Sequence, residues 1–234
     1  MSYTKRVDGR AFDELRPMSV KVGVLENALG SCLFQMGKTK VLAGVYGPRQ
    51  LYPRFLRNPE KGTVRCFYNM YSFSVSDRKR PGPGRREKEL SEKIAQALEP
   101  AVMLEKFPDA VVDVFVEIIQ ADAGTRCASI CAASTALADA GMPMKDIVSS
   151  VAMGKIGDKI CADIDKYEED YEGGATDIPI AFMPRTGEIT LLQLDGEISP
   201  EDLKKAISVG REKVKEIYEK QKEALTAKYK GDKQ

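Results

Sequence analysis

The chain has 234 residues, 43% hydrophobic and 30% charged, with a net charge of +1; this is the composition of an ordinary globular domain, so any nucleic-acid binding must come from local clusters of Lys and Arg. Histidine is absent, which excludes Ser-His-Asp triads, Cys-His dyads and imidazole relays together. Catalysis, if there is any, falls to Arg, Lys, carboxylates and helix termini.

Residues 1–20 lack the apolar stretch of a signal peptide, and no apolar run approaches the roughly 18 residues of a bilayer span. The expectation is a single cytoplasmic domain, residues 1–234, with no membrane partner. Five cysteines, Cys32, Cys66, Cys127, Cys131 and Cys161, form no CxxC pair, which points to reduced thiols in a core. Cys127 and Cys131 are i,i+4 on one predicted helix, but no second pair follows to complete a zinc site.

In chain order, residues 18–25, 31–36 and 41–46 read as short strands punctuated by Gly30, Gly37 and Gly47-Pro48. Gly37-Lys38-Thr39 resembles the end of a P-loop, but Cys32 stands where that motif needs glycine, so a hairpin turn is expected. A further β-type stretch, 63–75, precedes the basic, proline-containing loop DRKRPGPGRR at 77–86. Leu90, Ile94, Ala97, Leu98 and Ala101 then recur at helical spacing, predicting a helix from near Glu87 that Pro100 ends or kinks.

Val112, Val114, Val116 and Ile118 alternate as in a strand, with ADAG at 121–124 as its turn. Residues 126–140, RCASICAASTALADA, are small and apolar all round, which suits a helix buried between layers and closed by Gly141 and Pro143. Strands follow at 148–154 and 159–164, then an acidic loop at 165–177 and strands at 178–183 and 188–194. Ser199-Pro200-Glu201-Asp202 supplies an N-cap and a first-turn proline for a charged helix over about 200–229. The fold class is α/β, or α+β, in layers.

Three clusters can carry chemistry. Gly124-Thr125-Arg126 at the start of the buried helix combines free N–H groups, a hydroxyl and a guanidinium, a setting for phosphate; an ordinary capped helix start with a surface arginine is the alternative. Arg85-Arg86, with Arg78, Lys79 and Arg80 upstream, can grip an RNA backbone or form a solvated basic loop. Asp170 and Asp177, with Glu168, Glu169 and Glu172 between or beside them, suit Mg²⁺ or Mn²⁺, or form a solvated acidic loop. Two anion sites and a cation site would bring phosphate up to a phosphodiester without a general base, because phosphate is already an anionic nucleophile.

The strings DGRAFDELRP (8–17), VLAGVYGPR (41–49), RKRPGPGRRE (78–87), DVFVEIIQADAGTR (113–126) and ALADAGMPMKDIV (136–148) resemble the catalytic ribonuclease PH-type subunit of archaeal exosomes. The resemblance runs from Asp8 to Tyr229. It implies a ribonuclease PH fold of the ribosomal-protein-S5-domain-2-like type and a hexameric ring, a trimer of heterodimers with a related inactive subunit and RNA-binding cap proteins. It also implies 3′→5′ phosphorolysis of single-stranded RNA, reversible to 3′ tailing, with inorganic phosphate as co-substrate. On this resemblance Arg85 and Arg86 bind RNA and phosphate, Gly124, Thr125 and Arg126 hold phosphate, and Asp177 is catalytic. A second aspartate six residues earlier would support the metal, but position 171 is Tyr171 and the nearest aspartate is Asp170, with Glu172 a substitute. The basic segment around Arg65, including Lys61, would line the channel neck, although Phe67 stands where relatives often carry a second arginine. An inactive ring subunit and a tRNA-trimming ribonuclease PH are the competing readings.

Overall fold

The computed structural model describes residues 3–77 and 79–230; Arg78, one of the expected RNA contacts, lies outside them. Among the described residues no helix is long and apolar enough to cross a membrane.

The chain opens with a meander of β1 (Met18–Val22), β2 (Gly30–Met36) and β3 (Thr39–Gln50). The β2–β3 hairpin turns at Gly37 with φ +57°, as the glycine there predicts. After β4 (Thr63–Met70) the chain crosses over through α1 (Arg85–Leu98), and β5 (Ala110–Gln120) inserts between β3 and β4. It pairs antiparallel with β3 and parallel with β4, and a parallel pair requires such a crossover. Helix α1 begins two residues ahead of the sequence reading because the Glu87 carboxylate accepts from the Gly84 N–H, one half of a capping box.

Helix α2 (Thr125–Asp139) follows, then β6 (Ser149–Ile156), β7 (Lys159–Ala162), the one-turn helix α3 (Lys166–Glu169), β8 (Ala175–Met183), β9 (Glu188–Leu192) and α4 (Pro200–Lys230). The last four strands form a second sheet in the order β7-β6-β8-β9. The acidic stretch is therefore not all loop, and Asp177 sits on a strand.

Helix α2 packs on β2 and β3 of the first sheet and on β6 and β8 of the second. That explains its composition: Cys127, Ala128, Cys131, Ala132, Ala133 and Ala136 are buried on every side, and small side chains let two sheets close on one helix. The approach is tight. A Cβ on Gly30 would lie 2.2 Å from the Ala140 backbone nitrogen. Replacing Ile130, fully buried in this layer, with alanine would cost about 2–5 kcal/mol. Helix α4 covers the other face of the second sheet, and its buried Gln221 donates to Thr135 Oγ1 (2.9 Å) and the Cys131 carbonyl (3.0 Å), tying the outer layer to the central helix. All five cysteines are buried and free.

Candidate active site

A cleft of about 370 Å³ opens where α1, the 121–124 turn, the start of α2 and β8 meet, and Arg86, Gly124, Thr125, Arg126, Glu169 and Asp177 are among its lining residues. These residues come from distant stretches of chain, so the cleft depends on how the layers stack.

The turn before α2 is held in an uncommon shape. Ala123 and Gly124 both have positive φ, +54° and +63°, a region costly for a residue with a Cβ. Tertiary contacts offset the cost: Arg16 donates to the Asp122 carbonyl (2.6 Å), and Thr39 Oγ1 bridges the Ala123 carbonyl (2.9 Å) and the Asp122 N–H (3.0 Å). Gly124 is the N-cap and, being glycine, offers the helix no side-chain cap. The first N–H groups of α2 thus lack an intrahelical acceptor where an anion could supply one. This departs from the ordinary capped start weighed above.

Arg126 donates to Gln193 Oε1 at 2.6 Å, yet its Nε is buried without a hydrogen-bond partner among the described residues. Asp177 is placed by β8, which pairs with β6 at Gly154 and bridges to Asp195 through reciprocal backbone bonds of 2.9 Å. Its Oδ1 is likewise buried and unpartnered among the described residues. Burial, and then the nearby Glu169 charge, push the Asp177 carboxyl up to about 6, with Arg126 pulling the other way. Buried polar atoms are rarely left unpaired, and these two belong to residues that line the cleft.

The other predicted residues divide. Arg85 and Arg86 are exposed at the start of α1, with Arg86 on the cleft and Arg80 on the adjoining groove. Lys61 pairs with Glu99 (2.7 Å), and Arg65 pairs with buried Asp113 (2.7 Å) while stacking over Phe67. Neither Lys61 nor Arg65 lines the cleft. Arg65 and Phe67 alternate with buried Val64, Cys66 and Tyr68, which puts them on the sheet face away from α1. Asp170 is exposed and paired with Lys166 at 2.7 Å; the structure does not bring it to the cleft. Glu169 lines the cleft instead, as do Lys79 and Glu87, joined at 2.6 Å. Gln193 had no sequence signal, while Glu169 was visible only as one acid among several.

Residues 14–143 match domain 1 of the 3′ exoribonuclease family, and residues 146–213 match domain 2. The chain belongs to the 3′ exoribonuclease family. Among relatives of this family member, "Exosome complex component Rrp41" of Nitrosopumilus maritimus is 52% identical over 229 residues, covering 98% of this chain and 93% of that protein. The protein of the same name from Methanopyrus kandleri is 49% identical over 227 residues, covering 97% and 94%. Among solved structures, rice Rrp46 superimposes with a TM-score of 0.83 at 26% identity, covering 94% of this chain and 100% of that one. A structure described as the Archaeoglobus fulgidus exosome with RNA bound to the active site gives a TM-score of 0.79 at 24% identity, covering 92% of each chain; this likeness is one of fold alone. The layered α/β architecture of the exoribonuclease-family chain is thus the ribonuclease PH fold.

Proposed function

We propose that this chain is the catalytic subunit of an archaeal-type exosome, shortening single-stranded RNA from its 3′ end by phosphorolysis and releasing nucleoside diphosphates. The observation that carries the reading is the meeting of Arg86, the uncapped Gly124–Arg126 helix start and Asp177 in one cleft of a chain without histidine. The near-full-length likeness to proteins named as exosome complex components supports membership of an exosome.

In this reading the N–H groups at the start of α2, the Thr125 hydroxyl and the Arg126 guanidinium hold inorganic phosphate, while Arg85 and Arg86 hold the terminal phosphodiester. Both anions are brought together against their repulsion. A phosphate oxygen attacks the phosphorus of the last linkage. The bond to the 3′ oxygen of the penultimate nucleotide breaks, that oxygen takes a proton from solvent, and the last nucleotide leaves as its diphosphate. In reverse, the same steps add nucleotides. Arg78, Arg80, Lys61 and Arg65 would contact the RNA beyond the cleft.

The orphaned Asp177 Oδ1 and the cleft-lining Glu169 fit a divalent cation such as Mg²⁺ or Mn²⁺. Among the described residues no three potential ligands are gathered there, so substrate phosphates and water would have to complete the coordination. When bound, the ion would stabilise charge on the attacked phosphate and the leaving oxygen. Asp170, exposed and paired with Lys166, is not among the residues lining the cleft. The assembly would be a hexameric ring, alternating with a related inactive subunit beneath RNA-binding cap proteins, in the cytoplasm. A ring subunit without activity is the second reading; Arg86, Arg126 and Asp177, all present at one cleft, favour the first.

The test is to incubate end-labelled RNA with the assembled complex, with and without phosphate. Nucleoside diphosphates should appear only with phosphate. Monophosphates released in its absence would overturn the proposal.

A further inference from the structure

Tyr68 lies outside the cleft's lining and reaches it from behind. It is 2% exposed, on the β4 face turned toward α1, and its hydroxyl is 3.1 Å from Thr125 Oγ1 across a buried contact. Its backbone is fixed as well: the Tyr68 N–H donates to Ser91 Oγ (2.9 Å), and Ser91 Oγ donates to the Glu87 carbonyl (2.7 Å). Glu87 directly follows Arg86, so this chain of hydrogen bonds joins the helix that carries the RNA-binding arginines to the helix start assigned to phosphate.

Either hydroxyl could donate in the Tyr68–Thr125 pair, and acidity decides. A phenol is far more acidic than an aliphatic alcohol and is the better donor, while a threonine hydroxyl offers two lone pairs and one proton. Burial pushes the Tyr68 phenol up to about 12, so it keeps its proton at any working pH. With Tyr68 donating, one lone pair of Thr125 Oγ1 is occupied, and the hydroxyl's own proton is free to point into the cleft. An anion there needs donors rather than lone pairs. A threonine hydroxyl left unpaired could equally turn its oxygen toward the anion.

We propose that Tyr68 is a positioning residue for the attacking phosphate, holding the Thr125 hydroxyl as a donor aimed at the anion. The inference rests on the placement of phosphate at Gly124–Arg126 proposed above.

The test uses the complex assembled with its ring partner. Tyr68→Phe keeps the buried ring and removes only the oxygen. Its KM for phosphate should rise about three- to tenfold, the worth of one hydrogen bond, with kcat changed less than about twofold and RNA affinity retained. The stabilisation of the complex against heat by added phosphate should weaken in parallel, a readout independent of turnover. In a Thr125→Val background, where no hydroxyl remains to orient, Tyr68→Phe should add nothing. An unchanged phosphate KM in Tyr68→Phe, alongside a raised one in Arg126→Ala, would sink this inference and leave the phosphate site standing. If Arg126→Ala also leaves phosphate dependence unchanged, the phosphate site itself is wrong. An undiminished effect of Tyr68→Phe in the Thr125→Val background would show that the tyrosine acts through packing, and would also end the proposal.

Discussion

Two clusters of arginine and carboxylate lie near each other in this protein, and they are built to opposite rules. In the first, Arg6 makes a two-pronged contact with Glu168 (2.7 Å at each oxygen) and donates to the Ala162 and Asp163 carbonyls, while Arg16 grips both oxygens of Asp163 at 2.8 and 2.6 Å. Glu168 also accepts from Tyr3. No side-chain atom of this group is orphaned among the described residues. In the second, Arg126 Nε and Asp177 Oδ1 are buried and unpaired. A saturated network holds shape, whereas one with open valences is poised to bind. The first cluster supports the second, because Arg16 also fastens the turn that presents Thr125 and Arg126.

The largest effect should come from breaking the saturated side. Arg16→Ala leaves buried Asp163 with only the residue-16 N–H and Arg10 at 3.6 Å, a loss of up to about 3–5 kcal/mol readable as a drop in melting temperature, and Arg16→Lys should recover little because a point charge cannot replace a two-pronged grip. Next is Asp177→Asn on the open side. Turnover should fall about a hundredfold or more while RNA affinity is kept, and comparable nucleotide release by the mutant would contradict the assignment. Arg126→Ala comes third, raising the KM for phosphate about tenfold or more, as a phosphate titration would reveal.

The smallest effect sharpens the contrast by pH. The Asp177 carboxyl is raised from 3.8 to about 6 in the folded protein, so the folded state holds a proton that the unfolded state releases, and the cost of its charge develops as pH rises through that interval. In metal-free protein, Asp177→Asn should therefore be more stable than the parent at pH 7, with the gap closing as pH falls below about 4. A gap that stays constant from pH 4 to pH 7 would mean that this carboxyl is not raised.

Elements with local causes were legible. The proline after Ser199 announced α4, and Ser199 Oγ does accept from the Asp202 N–H at 3.1 Å; the small residues of 126–140 announced a helix between layers. The chemistry of the three clusters already implied that Arg86, Arg126 and Asp177 meet, and the stacking of the sheets brings them to one cleft; what the sequence did not show was how the acidic stretch is turned. The acidic stretch failed for a geometric reason. On a helical turn, successive side chains point about 100° apart, so one turn sends Glu168 inward to Arg6, Glu169 to the cleft and Asp170 to solvent and Lys166. Asp165 sets that rotation by accepting from the Glu168 N–H at 3.0 Å, and no count of residues back from Asp177 reveals it. Tyr68 could have been found from strand parity, since it shares a face with Val64 and Cys66.

The most direct test of the contrast is crystallographic: the assembled complex soaked with inorganic phosphate and Mn²⁺, the metal located by its anomalous signal. Phosphate on the Thr125 and Arg126 donors with Mn²⁺ on Asp177 is the predicted result. Both ions found elsewhere, with Arg126 Nε and Asp177 Oδ1 still unpaired, would contradict it.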